Sequence, residues 1–202
     1  MTETTIIEKF RAILESEANA ILQIPIDDSI DKAVFTLLNC KGKVFTTGLG
    51  KAGYVAQKAA STFCTTGTPS VFIHPADASH GDIGVVAQGD VIIAFSNSGN
   101  TREVLETVHL CKQLGIESII TITSHKESPL AKESTIALEL GHISEACPFG
   151  FTPSASTAAM LAISDALALV TMQERGFTKE QFALRHHGGY LGQKSREALN
   201  NK

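Results

Sequence analysis

The stretch Val44-Phe45-Thr46-Thr47-Gly48-Leu49-Gly50-Lys51-Ala52-Gly53 decides the fold of this 202-residue chain. Its first four residues read as a short buried strand, the three glycines mark a tight turn, and the run from Lys51 to Thr65 has the length of a helix. Strand, glycine turn and helix in that order open a βαβ unit. The pattern G-x-G-x-x-G also matches a dinucleotide fingerprint. Such a site, however, places an acidic residue at the end of the next strand, where this chain has His74. Lys51 inside the turn reads instead as a fixed positive charge for a small anion that meets backbone N–H groups at a helix start. A tight turn with a solvated lysine is the alternative on these residues alone.

The same texture continues outward. Apolar or β-branched runs at 44–47, 70–73, 91–95, 118–122 and 136–140 give five strands, separated by helical segments at 51–65 and 101–114 and a shorter one at 129–133. Parallel strands with crossover helices satisfy that order, so the expected fold class is α/β, a three-layer sandwich about a five-stranded parallel sheet. The segment 74–89 is too rich in Gly and Asp to assign to a helix. A long apolar helix at 154–175 and a shorter helical piece lead to a turn-like segment at 185–189. Ahead of the sheet, Ile6, Ile7, Phe10, Ile13, Leu14, Ile21 and Leu22 recur at helical spacing until Pro25. Asp27 and Asp28 can cap a second helix carrying Ile30, Val34, Leu37 and Leu38. The length suits one domain over 1–202, with the N-terminal helices in 1–42 and the α/β core with the C-terminal helices in 43–202.

Composition narrows the function classes. Lys and Arg number 17 against 21 Asp and Glu, a net charge of −4 that argues against a surface built to neutralise nucleic-acid phosphates. Cys40, Cys64, Cys111 and Cys147 form neither C-x-x-C pairs nor a crowded framework, which fits a reduced, cytoplasmic setting. The start, MTETTIIEKF, lacks the basic and apolar blocks of a signal peptide, and the apolar stretch 155–170 carries Ser156, Ser164 and Asp165, so no membrane partner is expected.

An open parallel sheet binds ligands beyond the carboxyl ends of its strands. The loop Ser96-Asn97-Ser98-Gly99-Asn100-Thr101 occupies such a place, between a strand and a helix. Its three hydroxyls and glycine make a neutral cradle for a phosphate at a helix start. The spacing Asn100-x-x-Glu103 also fits a plain capping box, and the two readings are compatible.

Six segments in order resemble the sugar isomerase (SIS) domain, and within it the arabinose-5-phosphate isomerases: Gly48 to Gly53, Thr65-Thr66-Gly67-Thr68-Pro69, His74-Pro75 with His80-Gly81-Asp82, Ser96 to Gly99, Glu145-Ala146-Cys147-Pro148, and His186-His187-Gly188-Gly189-Tyr190-Leu191-Gly192. Four positions depart from the family pattern: Ala52 stands for a serine, Asn100 for a glutamate, His187 for a proline and Tyr190 for a small residue. Longer relatives carry two CBS modules, which isomerisation should not need in this chain.

The resemblance implies a flavodoxin-like SIS fold and an aldose–ketose isomerase acting on D-arabinose 5-phosphate and D-ribulose 5-phosphate through an enediol, in support of Kdo synthesis for lipopolysaccharide or capsule. It implies Lys51, Glu103, Glu145 and His186 as catalytic residues, with Gly67, Thr68, His74, His80, Ser96, Ser98 and Thr101 at the substrate. Glu145 is the expected base, on the view that its loop keeps it away from any helix start. Ser154, Ser156 and Thr157 can complete the phosphate cradle. No cofactor or required metal is expected, although the resemblance implies that His74 can take an inhibitory zinc. The partner expected besides the sugar phosphate is the chain itself, in a homotetramer with shared active sites to which His186 is contributed by a neighbour. Isomerases of sedoheptulose 7-phosphate or a hexulose phosphate, and a non-catalytic sugar-phosphate sensor, are the rival readings.

Overall fold

The computed structural model describes residues 5–186 and 188–200. His187, one of the four departures, lies outside the described residues. Five strands, β1 (Val44–Gly48), β2 (Ser70–Phe72), β3 (Val91–Phe95), β4 (Ser118–Thr123) and β5 (Ile136–Glu139), pair in parallel in the order β2-β1-β3-β4-β5. That is the flavodoxin-like order, and it makes the gap between β1 and β3 the switch point: the chain leaves β1 toward one edge and β3 toward the other.

Side-chain alternation builds the two cores. Val91, Ile93, Phe95, Ile120 and Ile122 face one helical layer, whereas Ile92, Ala94 and Ile119 face the other. On the first face lie α2 (Asp28–Asn39), α3 (Gly50–Thr65) and α7 (Ala155–Glu174), which supply Leu37, Phe63, Ala159 and Met160. On the second lie α4 (Pro75–Ala78), α5 (Arg102–Gln113) and α6 (Pro129–Glu133), which supply Ala78, Val104, Val108 and Leu130. Each fully buried Phe or Ile contributes roughly 1.5–3 kcal/mol, so the sheet is held chiefly by area removed from water on both faces.

α7 is apolar around most of its circumference because α1 (Ile6–Leu22), α2 and α3 all pack on it. By length and composition it would also span a bilayer, but half of it is buried against these neighbours. In contrast, α1 buries only Ala20, and its residues Ile6, Ile7, Phe10, Leu14 and Leu22 are exposed. Its apolar spacing is therefore real, but this chain by itself covers little of it.

Three local readings change. The segment 74–89 contains the short α4 and a 3-10 turn at Asp82–Val85. After α8 (Lys179–Arg185) the chain enters another helix, α9 (Gly189–Asn200), directly beyond the expected turn. α5 starts from Thr101 as N-cap rather than Asn100, so the capping box does not form.

The third glycine of the opening motif is a packing requirement. A Cβ on Gly53 would stand 2.5 Å from the Gly48 carbonyl oxygen, where α3 crosses the end of β1. Gly53→Ala should therefore cost about 1–3 kcal/mol and lower the melting temperature by several degrees, as checked by thermal unfolding.

Candidate active site

The helices differ in how they satisfy their first N–H groups. Thr5, Asp27, Ser128 and Thr178 each cap their own helix through a side-chain oxygen. α3, α5 and α7 receive no such bond from their N-caps Leu49, Thr101 and Ser154. α3 follows β1 and α5 follows β3, and these neighbouring strands end in register, Gly48 beside Phe95. Two helix starts with open N–H groups thus flank the switch point, the arrangement that favours an anion.

The loop leading into α5 explains its missing cap. The Thr101 hydroxyl is paired with the Ser96 hydroxyl at 2.9 Å, and Ser96 Oγ also accepts the Gly99 N–H at 3.1 Å. Ser96 is only 2% exposed, while Ser98 is exposed. The loop tip is braced from the far side: Ser124 donates to Asn97 Oδ1 at 2.7 Å, and Thr123 donates to the Asn97 carbonyl at 3.0 Å. Gly99 turns at φ +63°, and a Cβ there would fall 2.0 Å from Ser128 Oγ, so the loop is seated directly on the α6 cap. In this arrangement Ser98 presents the accessible hydroxyl, whereas those of Ser96 and Thr101 are engaged with each other.

Lys51 and Glu103 occupy matching places, each the second residue of its helix, α3 and α5. Lys51 is exposed and Glu103 half-buried. His74 is the N-cap of α4 and lies 3.6 Å from an Asp77 carboxylate oxygen, with Phe72 edge-on to its ring. His80 is exposed beyond α4. No group of three or more His, Cys, Asp or Glu side chains is placed to hold a metal ion among the described residues.

Glu145 contradicts its expectation. The loop after β5 folds back onto α7, and Glu145 Oε2 accepts the N–H of Ser154 at 2.8 Å and of Ser156 at 3.4 Å. The carboxylate sits on a helix start because those N–H groups have no other acceptor. Its other oxygen, Oε1, has no hydrogen-bond partner among the described residues. The hydroxyls of Ser154 and Ser156 are buried without a partner, while Thr157 donates to the Ser154 carbonyl at 2.9 Å. Glu145, rather than a phosphate, occupies the start of α7, and Thr157 is spent on its own helix.

Gly67, Thr68 and His186 stand apart from this group. A crossover helix must return the chain to the beginning of the next strand, so Gly67 and Thr68 lie at the amino edge. There the Val44 N–H donates to the Pro69 carbonyl at 2.9 Å. The length of β1, roughly 13–16 Å at about 3.3 Å per residue, separates that edge from Lys51. Gly67 turns at φ +91° beneath Phe177, where a Cβ would meet the ring at 2.4 Å, and Arg185 stacks on the same ring. His186 follows Arg185 and stacks on Phe182 with ring centroids 4.6 Å apart, its Nδ1 buried without a partner. Within one chain, then, Lys51, His74 and His80, Ser96, Ser98, Thr101 and Glu103, and Glu145 lie in the segments that follow the carboxyl ends of β1, β2, β3 and β5. Gly67, Thr68 and His186 belong to the opposite edge.

A feature absent from the sequence reading is the environment of Cys147. Hydrogen bonds from the Thr152 hydroxyl and from the backbone of Thr152, Phe149 and Phe151 lower its thiol to about 6. The following Pro-Phe-Gly-Phe-Thr run, with Gly150 at φ +68°, was the available signal, since a tight turn aims successive N–H groups at one point. The thiolate is the reactive form, so alkylation at Cys147 by iodoacetamide should rise through a midpoint near 6, whereas the buried Cys111 thiol, pushed up to about 12, stays inert. Thr152→Val should move the Cys147 midpoint upward, read by mass spectrometry of the labelled peptide.

Residues 37–170 match the SIS domain family model. The arabinose 5-phosphate isomerase KdsD of Pseudomonas aeruginosa is 46% identical over 181 residues, covering 90% of this chain and 55% of the relative. The chain spans about half the length of the curated relatives it matches. Among solved structures, a Bacteroides fragilis protein assigned as a phosphosugar isomerase involved in capsule formation superposes with a TM-score of 0.89 at 45% identity. The match covers 92% of this chain and 100% of that one. An Escherichia coli CFT073 protein in complex with arabinose 5-phosphate gives a TM-score of 0.86 at 37% identity, covering 92% of this chain and 100% of its own. With its five-stranded parallel sheet and its serine-rich loop at the switch point, the chain belongs to the SIS domain family.

Proposed function

We propose that this chain is an aldose–ketose isomerase that interconverts D-arabinose 5-phosphate and D-ribulose 5-phosphate. The observation that carries this reading is the pair of open helix starts, α3 and α5, side by side at the switch point, with Lys51 on one and Glu103 on the other. Phosphate oxygens would take the free N–H groups and the Ser98 hydroxyl. The likeness to the structure holding arabinose 5-phosphate and to the KdsD enzymes supports the choice of sugar.

The chemistry closes without a redox equivalent, so no cofactor enters it. A base removes the proton from C2 of the open-chain aldose while O1 gains a proton, giving an enediol. Loss of the O2 proton and delivery of a proton to C1 then give the ketose. Glu145 suits the carbon proton: Oε2 is anchored on α7 and Oε1 is free to accept. Lys51 stabilises the developing oxyanion, and Glu103 and His186 move protons between the oxygens or open the sugar ring.

A complete site of this kind draws on two copies, because His186, Gly67 and Thr68 lie at the amino edge of their own chain. The apolar residues exposed on α1 support self-association, and a homotetramer with shared sites satisfies both. We place the chain in the cytoplasm, a setting that suits its free cysteines, and its product in the supply of Kdo for lipopolysaccharide or capsule.

Purified protein incubated with D-arabinose 5-phosphate should form D-ribulose 5-phosphate, faster than it acts on sedoheptulose or hexulose phosphates. Absence of turnover on every pentose phosphate sinks the reading. Glu145→Gln should lower kcat by about 10²–10⁴-fold, and in deuterium oxide the wild-type product should carry label at C1.

A further inference from the structure

We infer that Asn100 is a positioning residue for the anion-binding loop, its side-chain amide fixing the Ser98 peptide so that the Ser98 hydroxyl can donate toward the bound phosphate; this rests on the proposed reading of that loop. The sequence allows Asn100 to cap α5, yet its side chain turns the other way. Its Nδ2 donates to the Ser98 carbonyl at 2.8 Å, and its backbone N–H donates to Ser98 Oγ at 3.2 Å. Two bonds from one residue thus fix both the peptide and the side chain of another.

Each bond has a separate consequence for an anion. The amide occupies the Ser98 carbonyl, an acceptor that would repel phosphate if it faced the site. The backbone N–H, which any residue at 100 other than proline supplies, occupies a lone pair of Ser98 Oγ, and a hydroxyl that accepts within the loop keeps its proton for a partner outside it; the bond that belongs to asparagine is the one to the carbonyl. Ser98 is also the exposed hydroxyl of the loop, whereas Ser96 and Thr101 are paired with each other. Asparagine engages that carbonyl without charge at a helix start that favours negative ligands. Aspartate has the same shape but only accepts, so its carboxylate would face both the Ser98 carbonyl and the phosphate as like partners.

The test compares wild type with Asn100→Ala and Asn100→Asp. The readouts are steady-state kinetics on D-arabinose 5-phosphate, calorimetric titration with inorganic phosphate, and thermal melting. Asn100→Ala should raise KM and weaken phosphate binding by about 3- to 10-fold. Asn100→Asp should do so by more, with the gap widening at low salt. In both variants kcat should change far less than KM, with melting within about 2 °C of wild type. Variants that bind phosphate as wild type does, a loss confined to kcat, or a wild-type chain that binds no inorganic phosphate each overturn the role. Weaker phosphate binding in the variants, found together with a wild type inactive on every pentose phosphate, supports the positioning role and overturns the isomerase reading instead.

Discussion

Helix starts without their own caps are the constraint around which this molecule is arranged. An α-helix leaves four N–H groups unsatisfied at its beginning, and burying or abandoning them costs free energy. Four helices here, α1, α2, α6 and α8, meet that cost with a serine, threonine or aspartate of their own. The helices after β1 and β3 do not, and the reason is visible in each case. Leu49 has no polar side chain to offer, and Thr101 has given its hydroxyl to Ser96. What is withheld from the helix becomes available to a ligand.

The sheet makes this useful by bringing both starts to one place. Parallel strands in the order β2-β1-β3-β4-β5 place the ends of β1 and β3 side by side, and the glycines at 48 and 53 let α3 lie against the strand end. The loop at 96–101 is held just as firmly from beneath by Thr123, Ser124 and Ser128. Rigid backbone positioned in advance is what allows N–H groups to act on an anion without reorganising when it arrives.

Much of this was legible from residue order alone. Strands 91–95 and 118–122 are so uniformly β-branched or apolar that they read as strands buried on both faces, and both form as such. Less legible were contacts between residues distant in sequence or hidden inside a loop. Nothing at Glu145 itself announces that it will fold back nine residues onto Ser154, and its expected isolation was wrong for that reason. The capping box at Asn100 failed because the side chains that could cap α5 are engaged within the loop, the Asn100 amide donating to the Ser98 carbonyl and the Thr101 hydroxyl paired with that of Ser96. The position of Gly67, Thr68 and His186 follows from the direction of crossover helices, which a motif does not carry.

The carboxylate at the head of α7 ties a local charge to a long helix. Glu145 satisfies two backbone donors as an acceptor, and such bonds are stronger when the acceptor is ionised. Both donors meet on the single oxygen Oε2, so the first turn of α7 and the loop that carries Glu145 are positioned together. Because α7 is also the helix on which α1, α2 and α3 rest, an event on one oxygen atom reaches the scaffold that most of the first core shares.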